Sequence, residues 1–519
     1  MSSTVTKLKL VFLLMVFAVI GYFARPSIDK YVTGHKAEAP VPELGTIYQR
    51  SATAPNTIRN PVIVVPGMMG SKLRELETSR TVWGVFDNEA IDPDAADDIR
   101  LLACPIDGAD LDHFDDGVYA TGVLDTLKVN IAGLLLKHKA YLNILRMLGV
   151  GGYRDEELGM AGAIDYGDMH FNCFQFPYDW RRDNAENARR FHDFLLQRKA
   201  YVEAERKRRY GIDEPVKFDI VAHSMGGLIT RYYLRYGNQG PAINGNTPEL
   251  NWSGCEHIDR AILIGTPNNG SAKSLVSAHE GFSFSILLDA FPSGLVASLP
   301  SIYQLLPNGP VYTVYDDQSG DPLNHFDVET WDQRGWGMLN PNQDHVLQQL
   351  LPNVGTAQER RALAKAHVRN CLDRAVALHR SLNIPASPPA GTTIHLFAGD
   401  AIPTIETLNS NLEHRTLSPR TLTPGDKTVT RNSALADRRS QNRWSPALRS
   451  PIAFRDIRFL SDDHFGLTNN PEFTDNALYL LLEDPMKSSP ARALDLPGGN
   501  QAAPVMPGKM PGKKMMPTR

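Results

Sequence analysis

The chain has 519 residues, 42% of them apolar and 22% charged, with a formal charge of −4. This composition excludes a wholly disordered or fibrous chain, and the near-neutral charge gives no reason to expect a nucleic-acid partner. The length suits several domains or one large α/β domain with insertions. Four widely spaced cysteines (Cys104, Cys173, Cys255, Cys371), with no Cys-x-x-Cys pair, exclude a disulfide-dense scaffold and argue against a cysteine-based zinc site.

Lys7 and Lys9 precede an apolar run over residues 10–24, closed by Arg25 and Pro26. As a helix it would span roughly 22 Å, somewhat short of a bilayer core of about 30 Å. Small residues suited to signal cleavage are poorly placed, so residues 1–30 are expected to be an uncleaved anchor, with a cleaved signal segment as the alternative. The flanking charges do not set orientation, and the body of the chain is expected outside the cytoplasm, membrane-associated or secreted. Residues 31–58 are expected to be a linker. Residues 486–519, rich in Pro, Gly, Met and Lys, are expected to be a disordered tail.

The run Pro61-Val62-Ile63-Val64-Val65, bounded by Pro66-Gly67, has the continuous β-branched pattern of a strand buried on both faces. Similar runs recur at 218–222, 261–265 and 393–399. Asp183-x-x-Glu186 resembles a capping box opening a long charged helix toward Arg209, and 225–236 carries apolar residues at helical spacing. Strands alternating with helices predict an α/β fold with a mostly parallel central sheet and helices on both faces. Residues 86–165, with an amphipathic helix expected around 124–148, and residues 272–390, with an apolar tract and a Trp331–Trp336 segment, read as cap insertions. The core is placed at 59–485.

The string Val221-Ala222-His223-Ser224-Met225-Gly226-Gly227 follows a strand and opens a helix, the setting of a nucleophile elbow. Small residues stand two before and two after Ser224, as so sharp a turn requires. Serine needs a base, usually a histidine oriented by a carboxylate, and in this kind of fold the chain order is Ser, acid, His. Asp426, in Thr423-Pro424-Gly425-Asp426-Lys427-Thr428-Val429, is a candidate acid in a tight turn. Only His464 follows it. Asp400, ending a strand, is a rival acid, and spacing alone leaves the choice open. The oxyanion of a tetrahedral intermediate needs two backbone amides. Met225, following the nucleophile, and Met68, in the Gly67-Met68-Met69-Gly70 loop, are the candidates.

Five collinear motifs resemble those of the lecithin:cholesterol acyltransferase family, which includes lysosomal phospholipase A2 and phospholipid:diacylglycerol acyltransferase. They are residues 61–73 followed by Trp83, Pro177-Tyr178-Asp179-Trp180-Arg181, Ala222–Gly227, Gly265-Thr266-Pro267-Asn268-Asn269-Gly270-Ser271, and Gly425–Val429 with Asp463-His464. The resemblance implies an α/β-hydrolase with Ser224 as nucleophile, Asp426 as acid, His464 as base and Met68 and Met225 as oxyanion donors. It implies an acyl-serine formed from a glycerolipid or phospholipid ester, then O-acyl transfer to an alcohol, or to water as in a lipase or phospholipase. No metal or cofactor is required. The expected partners are a lipid ester and a membrane or lipid surface; oligomeric state is not readable. An inactive binding protein on the same fold is the remaining alternative. The family's vertebrate members carry a cysteine-closed lid where this chain has no cysteine between Gly70 and Trp83. Tyr178–Arg181 read as scaffold around the pocket, with Asp179 and Arg181 holding a loop.

Overall fold

The computed structural model describes residues 43–484, apart from 54–58, 85–91, 93–94, 109–110, 112–114, 125–126, 132–133, 139–140, 241–246, 283–290, 312 and 440–444. The expected anchor over 1–30 and tail over 486–519 lie outside the described residues. Among the described residues no helix is long and apolar enough to cross a membrane. Part of the expected linker is described. It forms short helices over Leu44–Ile47 and Gln49–Thr53, and between them the Tyr48 hydroxyl donates to the Asp475 carboxylate at 2.8 Å.

Six strands make a wholly parallel sheet: β1 (Val62–Val65), β2 (Cys173–Gln175), β3 (Phe218–His223), β4 (Ile258–Ile264), β5 (Thr393–Gly399) and β6 (Asp456–Leu460), in the order β6-β5-β4-β3-β1-β2. The strand alternation divides the core. Val62, Val64, Val221, Ile262, Ile264 and Phe397 point to one face, Ile63, Val65, Ile220, Ala222, Ala261 and Leu263 to the other. Because both faces are covered, the strands read as unbroken apolar runs. The order reverses direction at β1, which lies between β2 and β3, so the crevice for a ligand is expected beyond the carboxyl ends of β1 and β3.

Four helices matter to the site: α1 (Asn184–Tyr210), α2 (Met225–Tyr236), α3 (Ala357–Leu382) and α4 (Pro471–Leu482). Asp183 caps α1 by accepting from the amides of Ala185 and Glu186. The reciprocal half of the expected capping box is replaced, since Glu186 instead bonds Arg190 at 2.6 Å. A full capping box does open α3, between Thr356 and Glu359.

The expected helix around 124–148 is corrected. Leu127–Ile131 and Leu134–His138 pair antiparallel, and among the described residues of this span only those from Leu142 onward, in the helix Leu142–Val150, are helical. The alternation Leu127-Lys128-Val129-Asn130-Ile131, broken by Ala132-Gly133, has the two-residue period of a strand, and it outweighs the leucine content. A four-stranded mixed sheet, formed by Val314–Asp316, Pro322–Leu323, Ile402–Asn411 and Thr416–Gly425, was not legible; Val314–Asp316 pairs parallel with Ile402–Asn411 and the other pairs are antiparallel.

The Pro-Tyr-Asp-Trp-Arg tract holds Leu101–Ala103 and Asp116 in place. Arg181, with no exposed surface, bonds Asp179 and Asp116 at 2.7 Å each and donates to the carbonyls of Leu101, Leu102 and Ala103. Burial works against the guanidinium's charge, but Asp179 outweighs it and raises its pKa. Asp179 also bonds Arg182 at 2.9 Å. Removing one partner leaves buried charge uncompensated. Asp179→Ala is therefore expected to destabilise the fold by about 3–5 kcal/mol. Urea unfolding checks this; a loss below about 1 kcal/mol, the scale of a surface ion pair, contradicts a structural role for the network.

Within residues 272–390 three buried histidines, His325, His367 and His379, bond through Nε2 to the carbonyls of Pro307, Ser298 and Gln304. Burial lowers each pKa to about 4, only partly offset by the carbonyl bond. An unfolded histidine titrates near 6.5, so the unfolded chain takes up these protons first. The stability of this region is full above pH ~6.5 and is lost as the pH falls toward 4. By pH 5 each histidine is expected to cost roughly 1–2 kcal/mol. Thermal midpoints measured from pH 8 to pH 5 should fall steeply below about 6.5; a midpoint unchanged down to pH 5 contradicts the neutral, buried assignment.

Candidate active site

Each candidate group sits beyond the carboxyl end of a core strand. Ser224 follows β3 with φ 52° and ψ −124°, a conformation an L-residue adopts only when its surroundings enforce it. The enforcement is visible. The Ser224 amide donates to Ile264 at 2.8 Å, and α2 begins at the next residue. A Cβ on Gly226 would stand 2.6 Å from the Val65 carbonyl, and one on Gly67 would stand 2.8 Å from the Ser224 Cβ. The two glycines therefore let the loop after β1 close onto the elbow.

The Ser224 hydroxyl lies 2.8 Å from His464 Nε2, and His464 Nδ1 lies 2.8 Å from Asp426 Oδ2. The other carboxylate oxygen of Asp426 accepts from the amides of Val429 (2.6 Å) and Thr428 (2.9 Å). Burial pushes this carboxyl's pKa up, but the neighbouring imidazole and these amides outweigh it and hold it below its ordinary value. The His464 amide donates to the Asp426 carbonyl at 2.9 Å, so backbone and side chain both fix their separation. Since a carboxylate only accepts, Nδ1 carries the proton and Nε2 is left to accept from serine.

Asp400 does not meet His464. It is a partly exposed group 3.8 Å from Arg431. Asp426 is reached only after the chain leaves β5, runs through the antiparallel pair Ile402–Asn411 and Thr416–Gly425, and returns. Gly399 makes room for it, since a Cβ there would lie 2.6 Å from the Asp426 Cβ. Asp462 and Asp463 shape the histidine loop: Asp462 accepts from Asn470 and Asp463 from the Gly466 amide.

Met68 follows β1, and Met225 is the first residue of α2. Among the described residues neither amide has an acceptor. The Gly67 amide is taken, donating to the Tyr141 hydroxyl at 2.7 Å. The loop is held from outside by the Pro-Tyr-Asp-Trp tract. Tyr178 donates to the Pro66 carbonyl at 2.8 Å, Trp180 to the Ser71 carbonyl at 3.2 Å, and Trp83 to the Met69 carbonyl at 2.9 Å.

Two residues at the site were not singled out by sequence. His223, fully buried beneath Ser224, bonds the Tyr141 hydroxyl through Nδ1 (3.1 Å) and the His464 carbonyl through Nε2 (3.0 Å). Its place beside the nucleophile was a signal that could have drawn notice; Tyr141 carries none.

Parallel sheet, elbow and strand order are those of an α/β-hydrolase fold. The family model for lecithin:cholesterol acyltransferase matches residues 114–332, a span that holds Ser224 but neither Asp426 nor His464. The resemblance read from the motifs is thereby borne out. No curated protein matches the chain. Among solved structures it is similar to the Tle4-Tli4 complex, at 17% identity over 82% of this chain and 98% of that one, with a TM-score of 0.47. It is also similar to the mature form of Bacillus licheniformis lipase BlEst2, at 12% identity over 83% and 94%, with a TM-score of 0.28. The fold assignment rests on this chain's own topology and on the family match.

Proposed function

We propose that the chain is an O-acyltransferase acting on glycerolipid or phospholipid esters through an acyl-serine at Ser224. The observation that carries this reading is the continuous contact from Asp426 through His464 to Ser224, each link 2.8 Å. His464 Nε2 takes the Ser224 proton as Oγ bonds the ester carbonyl carbon. The carbonyl oxygen becomes an oxyanion facing the Met68 and Met225 amides. The intermediate collapses, the C–O bond to the leaving alcohol breaks, and His464 returns the proton to that alcohol. An acceptor alcohol then gives its proton to His464, attacks the acyl-serine, and leaves as a new ester while Ser224 recovers its proton.

The lipid identity of the donor is supported by the family match, and the chemistry by the contact geometry. Transfer and hydrolysis use the same residues and differ in whether the cap excludes water. Purified protein incubated with radiolabelled phosphatidylcholine vesicles, with and without a long-chain alcohol, tests the proposal. A labelled ester that appears only with the alcohol supports transfer. Labelled fatty acid alone assigns hydrolysis, and no release of label overturns the lipid-ester reading.

A further inference from the structure

The loops that make the candidate site lie far apart in the chain, and something must hold them in register. Gly67, Tyr141, His223 and His464 are linked end to end by hydrogen bonds, all of them buried. The Gly67 amide donates to the Tyr141 oxygen at 2.7 Å, Tyr141 meets His223 Nδ1 at 3.1 Å, and His223 Nε2 meets the His464 carbonyl at 3.0 Å. The proton positions follow from chemistry. A carbonyl has no proton to give, so Nε2 of His223 carries one. In a neutral ring Nδ1 then accepts, and the donor is the Tyr141 hydroxyl, whose oxygen is left to accept from Gly67. Every group finds one partner in one tautomer.

We propose that His223 and Tyr141 are positioning residues: a buried neutral relay that locks the oxyanion loop to the base loop across the back of the nucleophile. The inference rests on the Ser224–His464–Asp426 reading above. Neutrality of the ring is supported by its surroundings. Burial, then the adjacent His464 imidazole, lower the His223 pKa to about 3, outweighing the bond to the His464 carbonyl and the more distant Asp426 charge. Tyr141, also fully buried, has its pKa raised by desolvation, so its proton stays on the hydroxyl at working pH. The rings of His223 and His464 are 4.8 Å apart. A second cation there would oppose the imidazolium that His464 must become, so a neutral donor to the backbone is the form compatible with catalysis.

The relay acts through other residues and touches no substrate, so its loss should lower kcat with little change in KM. Misplacing reacting groups by an ångström costs on the order of 100-fold. Steady-state hydrolysis of p-nitrophenyl butyrate is the readout, with thermal midpoints measured beside it. Tyr141→Phe, which removes a single oxygen, is expected to lower kcat about 10- to 100-fold with KM within about twofold. His223→Ala should fall at least as far. His223→Gln, whose amide nitrogen reaches the His464 carbonyl and whose oxygen accepts from Tyr141, should recover most of the loss, to within about fivefold of wild type. A pair that only fills space would leave Tyr141→Phe near wild type, because phenylalanine keeps the ring and loses only its hydrogen bonds to Gly67 and His223. Folded Tyr141→Phe with kcat within about twofold of wild type, or His223→Gln as impaired as His223→Ala, overturns the proposal. If His223→Ala fails to fold, Tyr141→Phe and His223→Gln carry the test. Ser224→Ala runs in parallel: an active Ser224→Ala overturns the underlying reading, whereas an inactive Ser224→Ala beside a normal Tyr141→Phe overturns the relay alone.

Discussion

Ser224→Ala is expected to lower kcat for ester turnover by about four to six orders of magnitude while leaving the thermal midpoint near that of wild type. The size follows from the covalent route. Without Oγ there is no acyl-serine, and what remains is the oxyanion pocket and substrate binding acting on a water attack. Stability is expected to be unaffected because Ser224 is partly exposed and, among the described residues, its hydroxyl bonds His464 Nε2. The strained backbone at position 224 stays compatible with a Cβ, so alanine adds no new clash. Product release from a chromogenic ester, with active-site concentration fixed by protein mass, checks the effect. A residual rate above about 1% of wild type would mean that another nucleophile acts.

Asp426→Asn is expected to cost about 10⁴-fold in kcat, with the fold intact. The direction can be read from the carboxylate's partners. Oδ1 accepts from the amides of Thr428 and Val429, so the asparagine oxygen must take that place. Its NH₂ group then faces His464 Nδ1, where Oδ2 now stands. Nδ1 becomes an acceptor, the ring proton moves to Nε2, and Nε2 presents N–H to the Ser224 hydroxyl instead of a lone pair. The base is in place but in the wrong tautomer. Asp426→Glu would instead push the carboxylate into a turn closed by Gly399 and Gly425, so its loss would mix chemistry with packing. Asp400→Asn, at a partly exposed group 3.8 Å from Arg431, is expected to change kcat by less than about threefold. Equal losses for the two asparagine variants would contradict the assignment of Asp426.

Much of this arrangement was legible in the sequence because the relevant constraints are local. A strand buried on both faces must be an unbroken apolar run, and four of the six core strands announced themselves that way. The elbow must have small residues around Ser224, and the glycine contacts explain why. His464 was reached by chain order alone, since no other histidine follows Asp426. What was not legible depends on distant partners. The strand Cys173–Gln175 is three residues long, and the antiparallel pair within 127–138 carries enough leucine to imitate a helix face. The choice between Asp426 and Asp400 turned on an antiparallel excursion between β5 and the acid turn, whose strands contain Pro403, Pro419 and Pro424 and so lack a strand's usual composition. The His223–Tyr141 contact joins residues 82 positions apart, and no spacing rule links them.

The central claim is that Ser224 is an activated nucleophile, and covalent capture tests it most directly. Wild-type protein incubated with a fluorophosphonate and analysed by intact mass and peptide mapping should gain one adduct per chain, on the peptide carrying Ser224. Ser224→Ala should gain none, and Asp426→Asn should label far more slowly than wild type. Wild-type protein that stays unlabelled at a concentration that saturates an ordinary serine esterase, or that is labelled at another residue, would contradict the account.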